Sequence, residues 1–415
     1  MSEKKNNGWR FVPSLYLYQG IPSCVVMQTA TLMYASMGVE KSSFAFWTSI
    51  VSLPWTLKPL LSPAVERYGT KRSWVLWTEV IMGVLFVLLG LSMTGSNFYS
   101  MSLIMMGIVA VFSSMHDAAC DGYYMMALDQ KQQSFFVGIR STFYRIATIA
   151  STGLIPFVAG SLSEGTGDGY GWSVALIGAG VVLMLLWGYN NVGVPKIKEE
   201  TGRQDNGLEI FWRALKSFFT HEGVVAAVSF FLLYRLGEAF LTKVLTAFLV
   251  DARENGGIGL SVEACGIVYG TAGVFSLVVG GILGGLAAAK YGLKRVIWVM
   301  AIAMNLPNLG YVLLAHYQPM ADSAWVWTAV IVEQFGYGFG FAAYMLYMLR
   351  YVGQAEYKAA EYSVGTALMT LGLLLPGMGA GWLCEAVGYE YFFVVALALT
   401  IPGMLVITQL RWGEK

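Results

Sequence analysis

Two aspartates stand four residues apart in His116-Asp117-Ala118-Ala119-Cys120-Asp121-Gly122, a spacing that puts both carboxylates on one face of a helix. Further along come Tyr144-Arg145, then Tyr234-Arg235-Leu236-Gly237-Glu238, then Glu333-Gln334 ahead of Gly336, Gly338 and Gly340. Each of these groups interrupts a long apolar run. Ionisable side chains in apolar surroundings can pair with one another, hold a charged solute or take up a proton, and their cost there makes each a functional candidate. Asp117 and Arg145 fall at equal depth from the loop between their runs, about 17 Å at 1.5 Å per residue. An Asp117–Arg145 ion pair is therefore expected, with Asp121 as second acceptor or proton carrier; the alternative is a static pair that only fixes helix packing. Arg235 and Glu238, at i and i+3, are expected to share a face, either neutralising each other or leaving Arg235 to hold an anion bidentately. Glu333 is expected near mid-membrane on a glycine-rich helix, where the glycines point to close helix packing.

Weaker signals surround these. Lys58 sits near the end of its run and either joins the cavity or snorkels to the headgroups; Lys243 is expected to snorkel outward. Gln19, Gln28, Asn305 and Asn308 either line a polar cavity or join helices to one another. His116 is expected as a hydrogen-bonded packing histidine. The four cysteines lie far apart without a CxxC, and with three histidines they give neither a disulfide framework nor a metal site. No nucleophile or metal constellation converges, which speaks against an intramembrane enzyme, and no added soluble domain supports a non-transporting sensor.

The elements that must position these groups are legible in composition. Of 415 residues, 56% are hydrophobic and only 12% charged, with a mean hydropathy of +0.60. A soluble domain carries about 25% charged residues, so a soluble enzyme is excluded. Runs of about 20 apolar residues span a bilayer. Twelve such spans are expected, at 11–36, 43–61, 74–94, 99–128, 134–162 and 172–192 in the first half. The second half supplies 223–250, 262–289, 293–317, 323–351, 356–383 and 389–409. Lysine and arginine favour the cytoplasmic side. With both termini inside, nearly all of them fall in cytoplasmic segments, only Lys41 and Arg253 fall outside, and Lys58, Arg145, Arg235 and Lys243 lie within spans. The loop Glu66-Arg67-Tyr68-Gly69-Thr70-Lys71-Arg72 returns in part as Lys290-Tyr291-Gly292-Leu293-Lys294-Arg295, an offset of 223 residues from Gly69 to Gly292. The expected plan is an all-α membrane protein of two six-helix parallel repeats: 1–192, a cytoplasmic linker 193–222 whose amphipathic stretch 208–219 lies at the headgroups, and 223–415.

The loop from Glu66 to Arg72 resembles the signature between the second and third spans of the major facilitator superfamily. There Gly69 permits a tight turn, and Glu66, Arg67, Lys71 and Arg72 can form ion pairs of a cytoplasmic gate. The order Asp117/Asp121, Tyr144-Arg145, Tyr234-Arg235-Leu236-Gly237-Glu238-Ala239, Glu333-Gln334, with Leu57-Lys58-Pro59-Leu60-Leu61-Ser62-Pro63, is similar to that of the AmpG-type muropeptide permeases over nearly the whole chain. This chain departs at His116, at Ile146-Ala147, and at Glu238 and Gln334, where such permeases commonly have Gln, Leu-Gly, Asp and Asn. The resemblance implies alternating-access import across a bacterial inner membrane, by proton symport, of muropeptides or anhydro-muramyl sugars. It implies no cofactor beyond the proton, lipid and a small glycan or glycopeptide as partners, no nucleic acid, and a monomer. Asp121 or Glu238 would carry the proton, with Glu333 next, Arg145 and Arg235 would meet a carboxylate, and Tyr144, Tyr234 and Tyr337 would stack on sugar rings. Acetyl-coenzyme A transporters share the paired-aspartate span, so another anionic solute is the alternative.

Overall fold

In lipid an apolar run satisfies its backbone N–H and C=O groups only by coiling into a helix or closing a barrel. This chain takes the helical solution. The computed structural model describes residues 7–58, 60–61, 65, 68–163, 168–197, 207–352 and 358–412, with backbone alone at 130, 131, 134, 137, 168, 207, 208, 210, 211 and 358–360. Among the described residues every regular element is a helix, and nine stretches are long and apolar enough to cross a membrane. The other expected spans are more broken. The first runs as Val12–Cys24, a π-helical turn Val25–Thr29 and Ala30–Ser36, and the second as Lys41–Val51 and Leu53–Thr56. The eleventh begins with Lys358–Met378, which contains Pro376. Its continuation turns at Gly388 (φ 75°), inside Ala380–Ala398, where the twelfth is expected to begin.

The chain divides into two compact units, Met1–Met33 with Val51–Asn206, and Tyr34–Ile50 with Gly207–Lys415. Residues 34–50, from the outer end of the first two spans, thus sort with the second unit rather than with the 1–192 bundle. In the first unit Lys71–Ser92 packs on Phe98–Ala127 and Asp168–Gly193, and Val12–Cys24 packs on Gln130–Ile149. The π turns of the first and fifth spans are stitched together: the Thr29 hydroxyl donates to the Ser151 carbonyl (2.8 Å) and Ser151 to that of Ile21 (3.3 Å).

In the second unit Ala324–Val352 lies between Val274–Tyr291 and Leu293–Asn305. Its glycines make that possible. A Cβ on Gly336 would sit 1.9 Å from the Ala303 carbonyl oxygen, and one on Gly338 would sit 2.0 Å from that of Leu277. The linker helix Gly207–Phe218 does not lie at the headgroups by its apolar face alone. Ala214 and Phe218, at i and i+4, are buried, and Phe218 joins the core of the second unit with Phe231 and Tyr344. Trp212 and Arg213 point outward.

The repeated loop shows one backbone device twice. Gly69 (φ 76°) and Gly292 (φ 82°) both take a positive φ just before a helix, at Lys71 and Leu293, where a side chain would be strained. Thr70 caps Lys71–Ser92 in a reciprocal box with Ser73. Arg72 donates to the carbonyls of Asn191 (2.7 Å) and Val194 (2.9 Å), tying this loop to the end of Asp168–Gly193. Glu66 and Arg67 lie outside the described residues, as do Pro59, Ser62 and Pro63.

Candidate functional site

Asp117 and Asp121 do share a face of Phe98–Ala127, and their shared cation is Lys58. Lys58 pairs with Asp117, and its Nζ lies 3.2 Å from Asp121 Oδ2. Asp121 also accepts from the Tyr16 hydroxyl (3.0 Å) and lies 3.5 Å from an Arg140 nitrogen. The Arg140 guanidinium sits 4.7 Å from the Tyr16 ring centroid and 5.3 Å from that of Tyr124. These side chains remain partly exposed, at 19% for Asp117, 28% for Lys58 and 31% for Asp121, so the cluster is only partly enclosed by protein.

The expected Asp117–Arg145 pair does not form. Equal depth is satisfied, but rotation is not: Arg140 and Arg145 are five residues apart, about 140° around the helix at 3.6 residues per turn. Arg140 thus meets Asp121, whereas Arg145 makes no ion pair among the described residues. Tyr144, beside it, lies within hydrogen-bonding distance of Ser23 (3.3 Å). Lys58 reaches its aspartates instead of snorkelling.

A second cluster in the same unit has no exposure at all. Glu79 Oε1 accepts from Asn190 (2.7 Å) and lies 3.3 Å from His116 Nε2, and Cys120 Sγ approaches the same ring (3.4 Å). The Tyr18 hydroxyl donates to the Glu79 carbonyl. His116 is therefore a buried hydrogen-bonded residue, turned away from Asp117's partners. Glu79 is absent from the candidates that the sequence suggests, although a carboxylate inside the apolar run 74–94 is the same signal that singles out Glu333.

The second unit carries its charges on the seventh and tenth spans. The seventh is broken into Val224–Leu233 and Leu236–Val250, and the break falls at Tyr234-Arg235. Arg235 stands at that break (φ −108°, ψ 20°) with its carbonyl accepting from the Ala239 N–H (2.9 Å), and although Glu238 lies within electrostatic reach no ion pair forms between them. Arg235 instead donates to the Tyr337 hydroxyl and lies over the rings of Tyr337 (5.3 Å) and Phe341 (5.1 Å). It is 7% exposed, its Nε has no partner among the described residues, and no described carboxylate pairs with it. Tyr234 is sunk in an aromatic core with Phe230 and Tyr344 and donates to the Gly340 carbonyl (3.1 Å), so its ring faces are covered by protein.

Glu238 is buried and makes no side-chain hydrogen bond or ion pair among the described residues. Glu333 is fully buried; its Oε2 accepts from Tyr311 (3.1 Å) and Gln334 (3.0 Å), while Oε1 has no partner among the described residues. Lys243 does not snorkel. It is 4% exposed and donates to the Thr48 hydroxyl (3.0 Å). Of the weaker candidates, Asn305 donates to the Ala301 carbonyl on its own helix (2.9 Å), and Asn308 and Gln19 each keep a buried amide oxygen with no described partner.

Helical spans with cations and carboxylates sunk in their interior are the build of a multi-pass membrane protein that handles charge within the bilayer. The family model of the Major Facilitator Superfamily matches residues 23–368. The chain belongs to that superfamily. An uncharacterized protein of Haemophilus influenzae is 29% identical over 86% of this chain and 83% of its own. The anhydromuropeptide permease of Escherichia coli is 24% identical over 94% of this chain and 77% of its own. Among solved structures, a bacterial homologue of the human lysosomal transporter Spinster matches with a TM-score of 0.74 at 15% identity, over all of both chains, which shows the fold.

Proposed function

We propose that the protein imports an anionic, peptidoglycan-derived solute, a muropeptide or anhydro-muramyl sugar, across a bacterial inner membrane by alternating access with proton symport. Arg235 carries the reading: a buried guanidinium with an unpartnered Nε and no described carboxylate in ion-pair contact is compensated by Glu238 only at a distance, which leaves a direct contact for an anion that a ligand supplies. Tyr337 and Phe341 hold the guanidinium plane so that its free edge can take a carboxylate. The name of the Escherichia coli relative supports the choice of anion. Glu333 is the proton carrier in this reading, because its orphaned Oε1 is the one acceptor of that carboxyl group with room for a proton. The cluster of Asp117, Asp121, Lys58 and Arg140, partly exposed, serves as the gate-side ion-pair network. The protein acts as a monomer.

Substrate charge tests the reading. A hydrogen bond to a charged group is worth about 1.5–3 kcal/mol, or roughly 10- to 150-fold in affinity. Arg235→Gln should weaken binding of the anhydro-muramyl disaccharide by that factor and leave its carboxamide analogue nearly unchanged, as read by titration of the purified protein. Equal losses for acid and amide would make Arg235 a packing residue and remove the support for an anionic substrate.

A further inference from the structure

Lys243 is a second buried basic side chain that forms no ion pair among the described residues. Its helix, Leu236–Val250, packs on Lys358–Met378 and Ala380–Ala398; Glu238, five residues before it on the same helix, is buried without an ion pair, and the other carboxylates of these elements have their own partners. Asp251 pairs with Lys41 (2.8 Å) and accepts from the Tyr389 hydroxyl (2.5 Å). Glu385 accepts from the Ser42 N–H (2.8 Å), and Glu361 faces His221 (2.8 Å). One of the three Lys243 ammonium protons goes to Thr48, and the other two have no acceptor among the described residues. Room for the long side chain is made by Gly377, whose absent Cβ would lie 3.2 Å from Lys243 Cγ. Leucine or methionine at this position would bury the same stem without the charge, so packing does not explain the lysine.

We propose that Lys243 binds a second anionic group of the transported solute, distinct from the group held by Arg235, so that the preferred substrate carries at least two carboxylates. This rests on the substrate reading above. The two side chains are eight residues apart, about 12 Å along a helix axis at 1.5 Å per residue, and their heads have different neighbours, Tyr337 and Phe341 for Arg235 and Thr48 for Lys243. In the present structure Thr48, on Lys41–Val51, occupies one donor of Lys243, and a carboxylate takes its place when that segment withdraws.

The probes are the anhydro disaccharide bearing L-Ala–D-Glu, a dicarboxylate, and the same molecule with both carboxyls amidated. Both are titrated against the full-length protein, its Lys243→Met and Arg235→Gln variants and the double variant. Lys243→Met should weaken the diacid roughly 10- to 150-fold and leave the diamide nearly unchanged. In the double variant the two fold-losses should multiply, as for independent sites. Without ligand, Lys243→Met should have a thermal midpoint equal to or above wild type, because an uncompensated buried charge has been removed. Equal losses on diacid and diamide, no loss on either, or a lowered midpoint would overturn the proposal and make Lys243 a structural partner of Thr48. A double variant no worse than the weaker single variant would show both cations sharing one group and would overturn the second subsite. A wild type that binds neither probe would instead overturn the substrate reading itself, a pattern separate from any failure of Lys243.

Discussion

At the scale of single residues, the charge balance around Phe98–Ala127 turns on one ammonium group. Lys58 stands against both Asp117 and Asp121, and only Asp121 has further partners in Arg140 and Tyr16. Removing it leaves Asp117 facing a second carboxylate one turn away. Breaking a fully buried pair costs about 3–5 kcal/mol; here partial exposure should reduce that to about 1–3 kcal/mol. Lys58→Met should therefore lower the thermal midpoint and stop uptake, and adding Asp117→Asn should restore the midpoint but not uptake. An unchanged midpoint in Lys58→Met would mean that solvent already screens the pair. The positions of these charges were legible, because any ionisable residue stands out in an apolar run. Their partners were not. Pairing depends on how each helix is rotated, so the count of depth that favoured Arg145 could not reveal that Arg140, 140° away, faces Asp121. Glu79 was legible by the same rule and overlooked, while its partners His116 and Asn190 come from helices that only the fold brings together.

At the scale of elements, the fourth and tenth spans, which hold Asp117, Asp121 and Glu333, are unbroken helices, whereas several other spans are irregular. The first, fifth and eighth contain π turns at Val25–Thr29, Ala150–Leu154 and Gly266–Gly273, and the seventh breaks at Tyr234-Arg235. Pro22 precedes the first of these turns and Pro156 follows the second, but no proline marks the break at Tyr234-Arg235, which is why Arg235 and Glu238 read as part of one continuous helix. The glycine pattern of the tenth span was readable, and packing is its physical content. Gly336→Ala drives a Cβ against the Ala303 backbone, where no side-chain rotation can relieve it. Overpacking of this kind costs about 1–3 kcal/mol or more. Differential scanning fluorimetry should show a lowered midpoint for Gly336→Ala and none for Gly178→Ala, since nothing lies within 4 Å of a Cβ at Gly178. Equal midpoints would mean that the tenth span moves aside freely.

For the whole molecule, the two-repeat plan was the most legible feature. Loop lysines and arginines set the topology, and the echo of Gly69 in Gly292 marked the repeat, now visible as the same positive-φ turn before a helix. Membership of the superfamily and the helical fold agree with that plan. The sorting of residues 34–50 with the second unit was not legible, since it depends on tertiary contacts such as Lys41–Asp251 and Lys243–Thr48 rather than on any local pattern. The central claim is that these parts couple a proton to the inward movement of an anionic glycan fragment, with Glu333 as the carrier. Proteoliposomes given an inward proton gradient and radiolabelled anhydro-muramyl disaccharide test it most directly. Wild type should accumulate the label above the external concentration and lose that accumulation when the gradient is collapsed, and Glu333→Gln should exchange label across the membrane without accumulating it. Uptake by wild type that ignores the gradient, or accumulation by Glu333→Gln at the wild-type level, would contradict the account.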